Sequence, residues 1–379
     1  MTHYEVIVIG VGCMGSAACA SLARRGVRVL GLEQHTIPTD LGSSGHQSRI
    51  FRLAYYEHPD YVPLLKQAYS GWQQLQIEAD MPVFAETGGL YIGQAGGEFV
   101  EHSQASAIRH GLQYERLDKH EIESRYPVLE LPDDFVGLYE QPAGMIFPER
   151  AIQAQADLAR RHGAHLLEGV RVHSWEQTPS QCHVETDSGR FTSDRLVICS
   201  GGWTPELCPG IPLSVSRQIL GWMQTPEPDL VSMEHFTTWA IELEDQSLLY
   251  GFPLCDGLDG PAGFKMARHL PGASCDPRTL VREAQPGDED EFLSYARRFL
   301  PRAVGPVTDM KVCLYTNTPD KHFIIDRHPR HDRVFLATGF SGHGFKFQPI
   351  IGEILADLAV HGSTDQPIGF LGLDRFERS

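Results

Sequence analysis

The chain has 379 residues, 41% of them hydrophobic and 21% charged, which suits one large or two interleaved globular domains with a substantial core. Its 49 acidic residues outnumber 32 basic ones, a net charge of −17, which argues against nucleic acid or an anionic membrane as partner because both need a basic face. The eight cysteines include no C-x-x-C pair, so zinc and thioredoxin-like readings have no support and no metal site is expected.

Residues 4–9 form a short apolar run with β-branched side chains, as buried parallel strands do. Gly10-Val11-Gly12-Cys13-Met14-Gly15 then turns into a helix predicted over 16–25, stopped by Gly26, with Arg24 and Arg25 complementing its C-terminal dipole. A second strand over 28–32 ends at Glu33 and completes a βαβ unit. In that context Gly10, Gly12 and Gly15 permit a tight turn and the approach of a pyrophosphate to the helix N-terminus, and Glu33 accepts a ribose hydroxyl. An acidic residue there disfavours a 2′-phosphate; the motif alone does not separate FAD from NAD.

A Gly/Ser-rich loop over 41–47 leads into Ser48-Arg49-Ile50-Phe51-Arg52 and a helix predicted over 61–79. If the 48–52 segment is helical, Arg49 and Arg52 share a face, where paired guanidinium groups suit a carboxylate or a flavin oxygen. A surface pair bound to acids such as Glu57 fits the same pattern. Another helix is predicted over 149–161. A strand-like region follows, with Asp187-Ser188-Gly189 as a hairpin turn, and its last apolar strand, 196–199, runs into Ser200-Gly201-Gly202-Trp203.

Residues 212–312 read differently, with alternating runs at 239–243 and 248–252 that predict an antiparallel sheet. Strand spacing places Lys265 and His269 on one face with Ala267 between them; a solvated edge lysine fits equally well. In 310–316, Cys313 and Tyr315 share a face with Lys311, whose charge would lower the thiol pKa, although a buried inert cysteine fits these residues at least as well. From Val334 the α/β pattern returns: an apolar run over 334–337, a glycine-rich turn over 339–347, and an amphipathic segment from Gln348.

A strand, a glycine-rich turn and a helix in that order bring backbone N–H groups against a planar or anionic ligand. Two such turns at opposite ends of the chain suggest one long cofactor, which FAD fits better than a short ligand. The expected fold class is α/β. A Rossmann-like FAD-binding domain is assembled from separated segments 1–80, 148–211 and 313–379, and a mainly antiparallel α+β substrate domain, 81–147 and 212–312, is inserted between them. No apolar run approaches the roughly 20 residues of a membrane span, and residues 1–5 lack a secretory pattern, so a cytoplasmic location is expected.

Taken together, Ser48 to Arg52, Tyr250-Gly251-Phe252-Pro253, Lys265 with His269, Cys313-Leu314-Tyr315-Thr316, His322-Phe323-Ile324-Ile325-Asp326 and the 339–347 turn resemble the monomeric sarcosine oxidase and N-methyl-L-tryptophan oxidase family over nearly the whole chain. The resemblance implies a GR2/DAO-type fold with FAD attached through its 8-methyl group to Cys313. It implies that Arg52 and Lys346 bind the substrate carboxylate, and that Arg49 lies against the flavin and stabilises its reduced, anionic form. Tyr250, Tyr315 and His269 would line the substrate cavity, and Lys265 would assist reduction of dioxygen. Further cofactor contacts are implied for Ser43, Ser44, Val172, Ser200, Gly201, Trp203, Gly342 and Gly344, with Lys346 also near the ring. The implied reaction is oxidation of a secondary amino acid, N-methyl or cyclic, to an imine that hydrolyses, with O2 leaving as H2O2, in a monomeric enzyme.

Two departures stand out. Gly45-His46 reverses the order usual in the family, and the turn over 254–262 is longer than in sarcosine oxidases, which points to a different substrate. The competing readings are a deglycating oxidase of fructosyl amino acids, a pyridine-nucleotide dehydrogenase, and a flavin-binding protein without amine chemistry.

Overall fold

The computed structural model describes residues 3–255, 257, 260–269 and 272–376. The strand His3–Ile9 is buried on both faces and lies between two parallel neighbours, Val29–Leu32 and Gly189–Ile198. His165–Leu167 extends the sheet beyond Val29–Leu32. On the other side, the first part of Gly189–Ile198 pairs with Cys182–Thr186, which in turn pairs with Val172–Gln177. The last part takes His331–Thr338 as a parallel neighbour, itself followed by Ile324–His328, to give eight strands.

The first helix is Cys13–Arg24, not 16–25, and Gly12 is its N-cap. The third glycine of the motif sits inside the helix for a steric reason: a Cβ on Gly15 would lie 1.8 Å from the Gly10 carbonyl oxygen. The helix is buried almost throughout, between Pro148–Arg161 and Gln348–His361. Residues far apart in sequence thus close one face of the sheet.

A second eight-stranded sheet runs in the order Val307–Asn317, Ser214–Met223, Phe264–His269, Leu248–Gly251, Thr238–Glu242, Gly89–Gln94, Phe135–Glu140, Glu115–Asp118. It is antiparallel except where Thr238–Glu242 runs parallel to Gly89–Gln94. The boundary expected between 312 and 313 falls inside a strand. Val307–Asn317 is one strand, hydrogen-bonded along its length to Ser214–Met223, so Cys313 and Tyr315 belong to the second sheet.

The segment holding Arg49 and Arg52 is not helical. Arg49–Phe51 is a strand paired with Gly144–Ile146, which also pairs with Phe84–Ala85. The two arginines therefore share no helix face, yet both line one cavity. Among the described residues no helix is long and apolar enough to cross a membrane, and no cluster of potential metal ligands occurs. The 254–262 turn falls partly outside the described residues, so its length remains an expectation.

Candidate active site

A cavity of about 240 Å³ opens at the carboxyl ends of the parallel strands and runs between the two sheets. At one end stands the first glycine turn. Gly10 has φ of +85°, and a Cβ there would lie 2.6 Å from the Cys199 carbonyl oxygen. Glu33 is buried, and its two carboxylate oxygens accept the backbone N–H of Val11 at 2.9 Å and of His35 at 3.0 Å. Burial raises its pKa, and those two amides oppose the shift. Glu33 thus shapes the turn and keeps lone pairs for a diol.

Gly10, Gly12, Ser43, Ser44, Val172, Ser200, Gly201 and Trp203 all line this cavity. Gly15 does not; its role is the helix-to-strand contact described above. A Cβ on Gly12 would find only the Ser44 hydroxyl, at 3.8 Å, so the turn leaves open space beside the helix N-terminus. Glu33, the glycine turn and the apolar walls fit a dinucleotide lying between the glycine turn and Cys313.

At the centre, the Arg49 guanidinium donates to the carbonyls of Ser43, Gly45 and Ser48 at 3.1, 2.6 and 2.8 Å, tying its own loop into a wall. Lys265 is buried, and its ammonium donates to the His46 carbonyl at 2.6 Å and to the carbonyl and hydroxyl of Ser48 at 3.1 and 3.2 Å. Three acceptors match its three protons. It borders a smaller pocket behind the loop, not the main cavity, while His269 on the same strand faces the cavity. Burial, then Arg49, push the Lys265 pKa well down.

The reversed Gly45-His46 order has a structural counterpart. A Cβ on Gly45 would lie 2.7 Å from the Asp40 Cα, and His46 itself takes a left-handed φ of +76°. The His46 ring is buried off the cavity wall with Nε2 unpartnered, and burial with the Arg49 and Lys265 charges lowers its pKa to about 4.

Cys313 and Tyr315 share one apolar cluster with Leu220, Trp222 and Ala267, and both line the cavity. Burial raises the thiol pKa, and the charges of Arg49, Lys265 and Arg282 oppose it. Lys311 is not the cation that matters: its ammonium pairs with Asp309 at 3.0 Å at the half-exposed end of the strand. The second glycine turn docks on this strand. Ser341 N–H donates to the Thr316 carbonyl at 2.9 Å. Gly342, at φ of +81°, lies so close to the Tyr315 ring that a Cβ would fall 2.2 Å from it. Gly342, Gly344 and Lys346 all face the cavity.

The far end is a buried cationic seat. Arg52 Nη2 donates to both carboxylate oxygens of Glu57, at 2.5 and 2.6 Å, and the guanidinium lies 4.3 Å from the Tyr55 ring centroid and 4.9 Å from that of Tyr56. The Glu57 partnership is therefore real, but buried instead of on the surface. Lys346 donates to the His343 carbonyl at 2.7 Å, and burial together with Arg52 lowers its pKa to about 7. His269 Nδ1 lies 3.0 Å from the Tyr315 hydroxyl, and burial lowers its pKa to about 3, so the ring is neutral near neutrality. Tyr250 lies beside Tyr315 in the same wall. Sequence reasoning gave Tyr55 and His343 no place in this seat and treated Glu57 only as a surface partner. Tyr55 and Glu57, three and five residues after Arg52, were within reach of local spacing; His343 comes from a distant segment.

The cation form of Lys346 is fully present below pH about 7 and is lost above it, where only Arg52 and Arg49 still oppose the Glu57 charge. Affinity for a carboxylate is therefore expected to fall as pH rises past that point, at most about tenfold per unit. Calorimetric titration with cyclopentanecarboxylate, which has no amine of its own to ionise, should show this slope in the wild type and a flat profile in Lys346→Met.

Comparison with known proteins shows the family. The family model described as "FAD dependent oxidoreductase" matches residues 5–358. A monomeric sarcosine oxidase from Streptomyces avermitilis is 40% identical over 97% of this chain and 96% of its own length. The enzyme of the same name from Bacillus sp. (strain NS-129) is 36% identical over 99% of this chain and 97% of its own length. An N-methyl-L-tryptophan oxidase from Escherichia coli O9:H4 is 32% identical over 99% of this chain and the whole of its own. Among solved structures, the amino acid oxidase NikD superposes with a TM-score of 0.84 at 24% identity, covering 98% of both chains, which speaks to the fold alone. A pyridine-nucleotide dehydrogenase is set aside by these matches. The chain belongs to the FAD-dependent oxidoreductases, in the family of the monomeric sarcosine oxidases and N-methyl-L-tryptophan oxidases.

Proposed function

We propose that this FAD-dependent amine oxidase acts on a secondary amino acid, N-methylated or cyclic, and releases an imine and hydrogen peroxide. The single observation that carries the substrate class is the seat of Arg52 and Lys346. Two buried cationic side chains lining the cavity, with one carboxylate bonded to Arg52, suit a small carboxylate lying deep in the protein. The names of the relatives point the same way.

FAD would be held by Gly10, Gly12 and Glu33 at one end, by Ser43, Ser44, Val172, Ser200, Gly201 and Trp203 along its length, and by Arg49, Cys313, Gly342, Gly344 and Lys346 at the other. When bound, it supplies a hydride acceptor that dioxygen re-oxidises. We assign Cys313 as the residue that attaches it covalently. Arg52 and Lys346 hold the substrate carboxylate, and its arrival restores the Lys346 charge. An ammonium entering beside Arg49, Arg52 and Lys346 meets like charges, which lowers its pKa and favours the free amine that reacts. Neutral His269 and the hydroxyls of Tyr315 and Tyr250 accept or donate hydrogen bonds without adding charge and close the cavity to water. Arg49 places positive charge where the reduced ring becomes anionic.

Lys265 acts on the oxygen half of the reaction from behind the Ser48 loop, where three acceptors favour its ammonium form against the burial. Lys265→Met is expected to slow reoxidation of the reduced enzyme by O2 about a hundredfold while leaving anaerobic reduction by substrate little changed. Stopped-flow measurement of the two half-reactions separates them; equal slowing of both would remove Lys265 from this role. The eight free thiols suit a reducing compartment, and we read the enzyme as cytoplasmic and monomeric.

A peroxide assay with sarcosine, N-methyl-L-tryptophan, L-pipecolate, L-proline and a fructosyl amino acid tests the proposal. Peroxide is expected with at least one of the first four. Turnover of the fructosyl compound alone would assign deglycating chemistry, and no turnover of any contradicts the oxidase reading.

A further inference from the structure

Glu140 is a buried carboxylate, 1% exposed, at the end of a strand in the second sheet, and among the described residues it makes no ion pair. Its oxygens accept the backbone N–H of Leu53 at 2.8 Å, that of Ala54 at 3.0 Å, and the Tyr91 hydroxyl at 2.6 Å. These contacts lead to one place. Leu53 and Ala54 directly follow Arg52, where the chain has left the Arg49–Phe51 strand and has no ladder partner of its own. The Ala54 carbonyl accepts from Arg52 Nη1 at 3.3 Å, and the Tyr91 ring centroid lies 5.9 Å from the Arg52 guanidinium.

We propose that Glu140 is the positioning residue of the carboxylate seat: by gripping two consecutive amides and the Tyr91 hydroxyl it fixes the backbone and one ring around Arg52, and so sets recognition of the substrate carboxylate. This inference rests on the reading of Arg52 and Lys346 as that seat. Two consecutive N–H groups on one carboxylate determine a backbone conformation more tightly than a single bond does. Burial raises the Glu140 pKa, while Tyr91, the two amides and the Arg52 charge oppose the rise. Glutamine at this position keeps the volume but turns an N–H2 toward one of the three donors, which leaves that donor buried and unsatisfied. Glu140 does not itself line the cavity, so it acts through Leu53, Ala54 and Tyr91, and through them on Arg52.

The test uses the flavin-containing protein and two probes of the same shape, cyclopentanecarboxylate and cyclopentanecarboxamide, with binding read by calorimetry and by perturbation of the flavin spectrum. The wild type is expected to prefer the anion, and Glu140→Gln to lose about tenfold of that preference while keeping its flavin. Tyr91→Phe, which removes one of the three contacts, is expected to lose less in the same direction, and it carries the test if Glu140→Gln does not fold. Preference retained in both variants overturns the role of Glu140 alone, whatever their stability. A wild type with no preference for the anion overturns the seat itself and the inference with it.

Discussion

Arg52→Met is expected to lower kcat/KM for an amino acid substrate by about a thousandfold, the scale for truncating one partner of a buried charged pair. It should also destabilise the fold. Arg52 is held from three sides in the wild type: by both oxygens of Glu57, by the Ala54 carbonyl, and by the faces of Tyr55 and Tyr56. Without it, Glu57 keeps no hydrogen-bonded cation among the described residues; His343 is 3.9 Å away, and burial holds that imidazole neutral. A buried carboxylate left in this state costs about 3–5 kcal/mol. Arg52→Met/Glu57→Gln should therefore recover much of the stability, read by chemical denaturation, without recovering activity. Arg52→Lys is not a mild change, because a single ammonium cannot serve Glu57, the Ala54 carbonyl and a substrate carboxylate in the planar arrangement the guanidinium uses. Recovery of activity in the double variant would mean that Arg52 serves the fold alone.

Cys313→Ala is expected to convert flavin that stays with acid-precipitated protein into flavin that is wholly released. Three cysteines line the cavity, Cys13, Cys199 and Cys313, so the assignment is a choice among them. Burial raises all three thiols, and the opposing charges favour Cys313. Burial pushes Cys199 up to about 12 with nothing to oppose it. Cys13 is also pushed well up, and what Arg49 takes away, Cys199 partly returns. Cys313 alone has three cations acting to lower its pKa, with Arg49 first, and only the thiolate is nucleophilic. Release of flavin from Cys13→Ala or Cys199→Ala, with retention in Cys313→Ala, would contradict this order. The variant should still bind FAD without the link, since the Gly10 turn and Glu33 do not depend on Cys313.

The first βαβ unit was legible because its signals are local: a buried strand, three glycines, a helix and a terminal acid within a short window. The 339–347 turn was legible for the same reason, and the antiparallel character of the second sheet followed from alternation. The Arg49–Arg52 segment misled because five residues cannot separate a helical period from a strand whose partner, Gly144–Ile146, lies far downstream. The boundary expected at 312 falls within the strand carrying Cys313, which is bonded into the second sheet while some of its residues face the cavity. Lys311 failed because its neighbour Asp309 satisfies it first. Glu140 carries no local signal at all. Its contacts reach back 87 and 86 residues to Leu53 and Ala54, and only the folded chain brings them together.

The reading of the whole site turns on whether a carboxylate-bearing secondary amine delivers electrons to the flavin. Anaerobic titration of the yellow protein with sarcosine or L-pipecolate, set beside dimethylamine or piperidine, isolates that point. The expected result is bleaching of the flavin by at least one of the amino acids and not by its carboxylate-free counterpart, with colour and hydrogen peroxide returning on admission of air. A flavin that no secondary amino acid bleaches, or that the carboxylate-free amines bleach equally well, would contradict the account.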